Sequence, residues 1–315
     1  MGLTIGVDIG GTKIAAGVVD ESGRVLRTTR RETPAGDTAA TEDAIVGAIA
    51  ELREGHEVEA VGLGAAGFVD PDRSIVVFAP NLAWRDEPLR DAIQRRTGLP
   101  AVVENDANAA AWAEATFGAG AGESHLVVVT VGTGIGGGII LDGRLLRGRF
   151  GIGAEIGHIT MVPEGRRCGC GNHGCWEQYA SGRALVREAR YLARTAPETA
   201  DRLLALADDR AGAIDGPIIT AAAQAEDEAA LESFRIVGTW LGYGIADLAA
   251  ILDPGMFVIA GGVAHAGDLL LEPAWQAYLA RLTGRGHRPH AELRMGRFSG
   301  DEAGIIGAGD LARRR

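Results

Sequence analysis

Short branched-aliphatic runs separated by glycine-threonine turns occur twice in this chain, in the same order. In GVDIGGTKIAAGVVDESGRVL (6–26) an apolar run meets Gly10, Gly11 and Thr12, a second run returns, and an Asp/Ser/Gly turn leads to a third. In VVTVGTGIGGGIILDGRLL (128–146) the order recurs, with Thr130 at the position of Asp8 and Gly132 at that of Gly10. Such runs, bounded by glycine and by the hairpin dipeptide Asp142-Gly143, predict strands joined as hairpins. The copies start about 120 residues apart, which is the spacing of domains and not of a solenoid repeat. Two halves that each present a turn nearly free of side chains predict a pair of backbone surfaces able to clamp one polyphosphate.

Between and beyond the copies the pattern alternates. TEDAIVGAIAELRE (41–54) predicts a helix, VEAVGLGAAG (58–67) a strand, EPLRDAIQRRTG (87–98) a helix and PAVVE (100–104) a strand, hence a mixed α/β sheet. Leu231, Phe234, Leu241, Ile245, Leu248 and Leu252 form a helical core stripe that Asp253-Pro254 stops. GMFVIAGGV (255–263) predicts a buried strand ending at Gly261-Gly262, and DEAGIIGAGDLARRR (301–315) a terminal helix. The domain boundary is expected in the glycine-rich FGAGAGE (117–123), just before the second copy.

Two better-known phosphate motifs are excluded. Gly132, Gly134 and Gly137 satisfy G-x-G-x-x-G, but a dinucleotide site needs a helix after the glycines, and here a strand follows. Gly11-Thr12-Lys13 is not the Gly-Lys-Ser/Thr order of a Walker loop.

The 315 residues, 46% hydrophobic and 23% charged, suffice for two cored domains. A formal net charge of −11 argues against a nucleic-acid surface, which needs a basic stripe. Lys13 is the only lysine, a compositional habit of the chain that says nothing about its role. Asp8 interrupts the first apolar run, so no signal peptide is expected. The richest apolar stretches are read as cut by glycine and charge before a membrane span is reached, so a cytoplasmic protein is expected.

Three cysteines confined to one segment make no disulfide framework. Cys168, Cys170 and Cys175, spaced C-x-C-x4-C, together with a histidine predict a closed tetrahedral zinc site. His158 and His173 compete for the fourth position, and His158 is preferred because His173 would be crowded between the cysteines. In VVENDANAAAWAEATFG (102–118) a strand runs into Asn105-Asp106 and a helix. An N-cap explains Asn or Asp there; so does a carboxylate that accepts a proton from a substrate hydroxyl, and both can hold. Glu155 reads either as a solvated loop acid or as a ligand for a hydroxyl, and Glu177 either as a first-turn acid or as such a ligand.

VDIGGTK, GTGIGGG, GAEIGH, CGCGNHGCWE and VIAGGV, in this order and spacing over nearly the whole chain, resemble the ROK family of repressors and sugar kinases, and within it the bacterial glucokinases. The resemblance implies an α/β fold, duplicated and actin/hexokinase-like (ribonuclease H-like), with ATP in a cleft between two domains. These would be a small amino-terminal domain (1–118), to which the helix at about 302–315 returns, and a larger one (119–301) carrying the zinc loop. It implies ATP-dependent phosphorylation of glucose at the 6-hydroxyl, with Asp106 as the base. Gly67, Asn105, Glu155, His158 and Glu177 would contact the sugar, His158 giving its other ring nitrogen to zinc. Gly10, Gly11, Thr12, Lys13, Thr133 and Gly134 would line the triphosphate, Asp8 would hold Mg²⁺ through water, and Gly261 and Gly262 would lie against adenosine. His158, Cys168, Cys170 and Cys175 would be the ligands of a structural Zn²⁺. Ala154 departs from the glycine many members carry there. Partners expected are glucose and ATP, with no nucleic acid or membrane, in a homo-oligomer, dimer or tetramer. Another hexose or N-acetylhexosamine as acceptor, or inorganic polyphosphate as donor, is the alternative. A sugar-responsive repressor is disfavoured because no helix-turn-helix module fits before Asp8.

Overall fold

The computed structural model describes residues 2–314. Contacts divide the chain into two units. Residues up to Val128, Gly137–Ala154 and those from Arg297 onward form the first, and Val129–Gly136 with Glu155–Gly296 the second.

The chain opens with an antiparallel meander, β1 (Leu3–Ile9), β2 (Lys13–Val19) and β3 (Val25–Glu32). Next come α1 (Thr38–Arg53) and β4 (Val58–Ala65), then a small sheet of β5 (Phe68–Val69), β6 (Val76–Phe78) and β7 (Arg85–Glu87). After α2 (Leu89–Thr97), β8 (Ala101–Asn105) leads directly into α3 (Asp106–Phe117). β4 runs parallel to β1 and β8 parallel to β4, so the sheet order is β3-β2-β1-β4-β8.

A second meander follows, β9 (Leu126–Val131), β10 (Ile135–Leu141) and β11 (Arg144–Leu145). Its last turn has Asp142 and Gly143 at φ 51° and 70°, the two left-handed residues that suit a tight hairpin. Helices α4 (Glu177–Ala180), α5 (Gly182–Thr195), α6 (Asp201–Leu206), α7 (Gly216–Gln224) and α8 (Glu228–Leu252) precede β12 (Met256–Ala260), α9 (Asp268–Arg281), β13 (Glu292–Met295) and α10 (Glu302–Arg313). The second sheet is ordered β11-β10-β9-β12-β13. Each sheet therefore has three consecutive strands followed by two later ones, the duplication that the sequence echo predicts.

Alternation along β1 explains how the first unit presents a carboxylate. Ile5, Val7 and Ile9 enter a core with Ile45, Ile49 and Leu52 of α1 and Ile93 of α2, all fully buried. The opposite face meets α10, whose backbone comes so close that a β-carbon at Gly6 would stand 1.8 Å from the Ile305 carbonyl oxygen, and one at Gly62 1.8 Å from that of Ala308. Asp8 lies on this second face, beside Gly304. A side chain at Gly6 or Gly62 would lift α10 from the sheet and move Asp8's surroundings with it.

Helix α8, of 25 residues, is long and apolar enough by length and composition to cross a membrane, so the apolar stretches are not all cut short. Its alanines raise hydropathy, and its glycines do not interrupt the helix. Phe234, Leu241, Ile245 and Leu248 of the predicted stripe are buried, and α8 packs on α9 and α5, the environment of a core helix. Leu231 is exposed and Leu252 partly so, because they lie in the first and last turns. Asp227 caps the helix by accepting from Ala230 N–H, and Asp253, at φ 45°, ends it before Pro254.

Candidate active site

In the first unit the candidates gather at the ends of β1, β4 and β8. Asn105 caps α3, accepting from Asn108 N–H at 3.0 Å, while its amide donates to the Gly67 carbonyl and to Asp106 Oδ1, both at 3.1 Å. Asn105 is thus the cap, and Asp106 occupies the first turn of α3, bonded to the amide of its neighbour. Burial, and then the negative charges of Asp106 and Asp301, push Asp8 up to about 7 against the pull of Lys13. Lys13 pairs with Asp301 at 2.5 Å, and Arg30 pairs with the other oxygen of Asp301 at 3.2 Å. The Gly10–Lys13 turn is closed by Gly10 N–H to Lys13 O at 3.0 Å and by Thr33, whose hydroxyl donates to Gly10 O at 2.8 Å. Three carboxylates beside one ammonium, with Asp8 pushed up by burial and by the charges of its neighbours, suit a divalent cation bound through oxygen or water.

In the second unit Gly132 N–H donates to Gly134 O at 3.0 Å and Gly182 N–H to Gly132 O at 2.8 Å, tying the Thr133 turn to the start of α5. Gly134 faces Glu177: an added β-carbon would stand 2.4 Å from Glu177 Oε2. Glu177 Oε1 accepts from Gln178 at 3.2 Å and from the Cys168 thiol at 3.1 Å. His158 Nε2 lies 4.0 Å from Glu155 Oε2. Burial raises the pKa of Glu155, and His158 opposes that rise.

His158, Cys168, Cys170 and Cys175 bring their donor atoms within 4.8 Å of one another. Cys168 Sγ to His158 Nδ1 and Cys170 Sγ to Cys175 Sγ are each 3.6 Å. A tetrahedral zinc with sulfur bonds of about 2.3 Å has edges of roughly 3.8 Å, so the donor set fits that ion. His173, exposed and paired across the loop with Arg167, is not among the donors. The loop is fastened by Trp176, fully buried, whose indole N–H donates to the Trp240 carbonyl of α8 at 2.8 Å.

A cavity of about 1100 Å³ opens in the second unit, lined by Thr133, Gly262, Thr220, Gln224 and the arginine face of α5. Thr133 and Gly262 are thereby brought to one space. At Gly261 φ is 91° and a β-carbon would stand 2.7 Å from the Val131 carbonyl oxygen, so only glycine fits.

Several residues of these groups escape sequence reading. Arg183, Arg187, Arg190 and Arg194 repeat at intervals of three and four, which could have been read as one helical face. Asp301 sits at the start of a predicted helix, where a cap is the ordinary reading. Glu104, only 1% exposed, hides at the end of a predicted strand.

The ROK family profile matches residues 4–315. A glucokinase of Streptomyces coelicolor is 53% identical over 313 residues, 99% of this chain and 98% of that protein. Among solved structures, a ROK family glucokinase from Streptomyces griseus in complex with glucose and AMPPNP is 54% identical, covers 100% of both chains and superposes with a TM-score of 0.90. A ROK hexokinase from Thermus thermophilus is 36% identical, with 99% of this chain and 98% of that one covered and a TM-score of 0.80.

Proposed function

The chain belongs to the ROK family, and we propose that it is an ATP-dependent glucokinase that transfers the γ-phosphoryl group of ATP to the 6-hydroxyl of glucose. The observation that carries this reading is the full-length likeness to the Streptomyces griseus glucokinase, whose structure holds both a sugar and an ATP analogue.

Asp106 is the base: its carboxylate takes the proton of the 6-hydroxyl as the oxygen attacks the γ-phosphorus and the bond to the β,γ-bridging oxygen breaks, releasing ADP. Asn105 aims Asp106 through the 3.1 Å amide contact, and with Gly67 binds the sugar. Glu155, His158 and Glu177 accept or donate to the remaining hydroxyls. Gly10 to Lys13, where Gly10 N–H closes the turn onto Lys13 O, together with Thr133 and Gly134 hold the triphosphate by the remaining backbone N–H groups and the Lys13 ammonium, and Gly261 and Gly262 border the adenosine, with Gly262 lining the cavity. Asp8 is the residue that would hold Mg²⁺, which neutralises phosphate charge when bound. Zinc on His158 and the three cysteines is structural, fixing the His158 ring and the loop that leads to Glu177.

The test is product identification. Purified protein incubated with glucose, ATP and Mg²⁺ should yield glucose 6-phosphate and ADP in equal amounts by mass spectrometry. ADP without phosphorylated sugar, or no turnover, would defeat the reading.

A further inference from the structure

Beside the proposed base lies a buried charge network to which no role has been given. Glu104 Oε1 accepts from the Asn105 backbone N–H at 2.9 Å and from the Asn108 amide at 3.1 Å, so one carboxylate oxygen fixes the strand end that carries Asn105 and the first turn of α3. Arg147 Nε donates to the same Oε1 at 3.2 Å and lies 2.9 Å from Oε2, which also ion-pairs with Arg73 Nε at 3.2 Å. Arg147, 11% exposed in its side chain, reaches further: Nη1 donates to the Pro71 carbonyl and Nη2 to that of Asp70, each at 2.9 Å. One guanidinium therefore joins the carboxylate behind Asn105 to the turn that follows Gly67.

The backbone around Arg147 is shaped for this reach. Gly148 and Gly151 have φ 73° and 82°, and a β-carbon at Gly151 would stand 2.3 Å from the Val69 carbonyl oxygen. Gly153 N–H donates to Arg147 O at 2.9 Å, closing the loop onto its first residue. Phe150 at its tip is 72% exposed, so the loop has no apolar anchor there and is held by Arg147 and its own backbone bonds. A buried carboxylate with two guanidiniums is costly to assemble and more costly to break, since loss of one partner strands the other charge. For stability alone, apolar side chains of similar size would serve as well or better.

We infer that Arg147, acting through Glu104, is a positioning residue for the sugar side of the reaction: it locks Gly67, Asn105 and the start of α3 into one geometry without touching substrate. This rests on the reading of Asn105 and Asp106 as sugar-binding and catalytic residues. Lysine cannot replace the guanidinium, because an ammonium lacks the planar fork that meets a carboxylate and two carbonyls at once.

The test is a kinetic double-mutant cycle on the full-length, zinc-loaded protein with Arg147→Lys, Glu104→Gln and the double variant, alongside Asp106→Asn. Each single variant is expected to raise the glucose KM by about tenfold and to lower kcat, with the ATP KM within about twofold. The double variant should be no worse than the poorer single, because both break one link. Multiplied losses in the double variant, or equal losses for glucose and ATP, would mean a general structural role and overturn the inference. So would an Arg147→Lys protein with unaltered glucose constants. Arg147→Lys retains charge and volume, and circular dichroism confirms that each variant compared is folded; should Glu104→Gln not fold, the split between the two KM values in Arg147→Lys decides alone. If Asp106→Asn keeps full activity, the underlying site reading fails, a result distinct from failure of the Arg147 link.

Discussion

Gly134 leaves its side-chain space to Glu177: the β-carbon it lacks would lie 2.4 Å from Glu177 Oε2. The glycine-threonine turn at Gly132–Gly134 therefore also makes room for a carboxylate. Moving Glu177 aside would strain the bond its other oxygen accepts from Gln178 at 3.2 Å. Gly134→Ala is expected to raise the KM for glucose about tenfold, ~1.4 kcal/mol, as well as that for ATP. Steady-state kinetics with each substrate varied would show it; a change confined to ATP would mean that Glu177 yields freely.

Asp106→Asn should keep the shape of the α3 terminus, and the Asn105 cap at 3.0 Å to Asn108 N–H is untouched. Turnover is expected to fall by about 10² to 10⁴ while glucose binding, measured by calorimetry, stays close to that of the parent. A variant with more than about a tenth of the parent kcat would reduce Asp106 to a helix-terminal acid.

For the metal, Cys168→Ser and Cys175→Ser are expected to lose zinc by atomic absorption and with it glucose binding, because Cys168 and Cys175 lie in the loop between His158 and Glu177. His173→Ala should retain both, since its ring is not in the donor cluster. Zinc lost from the His173 variant but kept on replacing His158 would reverse the assignment of the fourth ligand.

What the sequence discloses and what it hides differ for physical reasons. Hairpins such as 135–145 are legible because apolar alternation and a left-handed Asp-Gly pair are local properties. The ligand cluster is legible because cysteine so rarely groups by chance. The sheet of β5, β6 and β7 is not, since strands of two or three residues carry too little periodicity. Glu104 is invisible for another reason: its partners Arg73 and Arg147 lie 31 and 43 residues away, and only the fold brings them together. Arginines on α5 look like a solvated face until the cavity they line is seen.

Away from the active residues, burial and then hydrogen bonding to Glu42 raise the pKa of Glu87. A carboxyl whose folded pKa is raised adds stability that is fully present below its unfolded pKa and lost as pH rises through the folded value. Glu87→Gln removes that loss. Its melting temperature is expected to match the parent near pH 4 and to exceed it by a few degrees at pH 8, as differential scanning fluorimetry would record. An equal difference at both pH values would show that the carboxyl pair does not titrate with folding.

The substrate assignment is tested most directly by kcat/KM measured side by side for glucose, fructose, mannose, N-acetylmannosamine and allose with ATP, and for glucose with inorganic polyphosphate. Glucose with ATP is expected to exceed every other pairing by at least about tenfold, a difference of ~1.4 kcal/mol in transition-state binding. A higher value for any other sugar, or for polyphosphate as donor, would contradict the account.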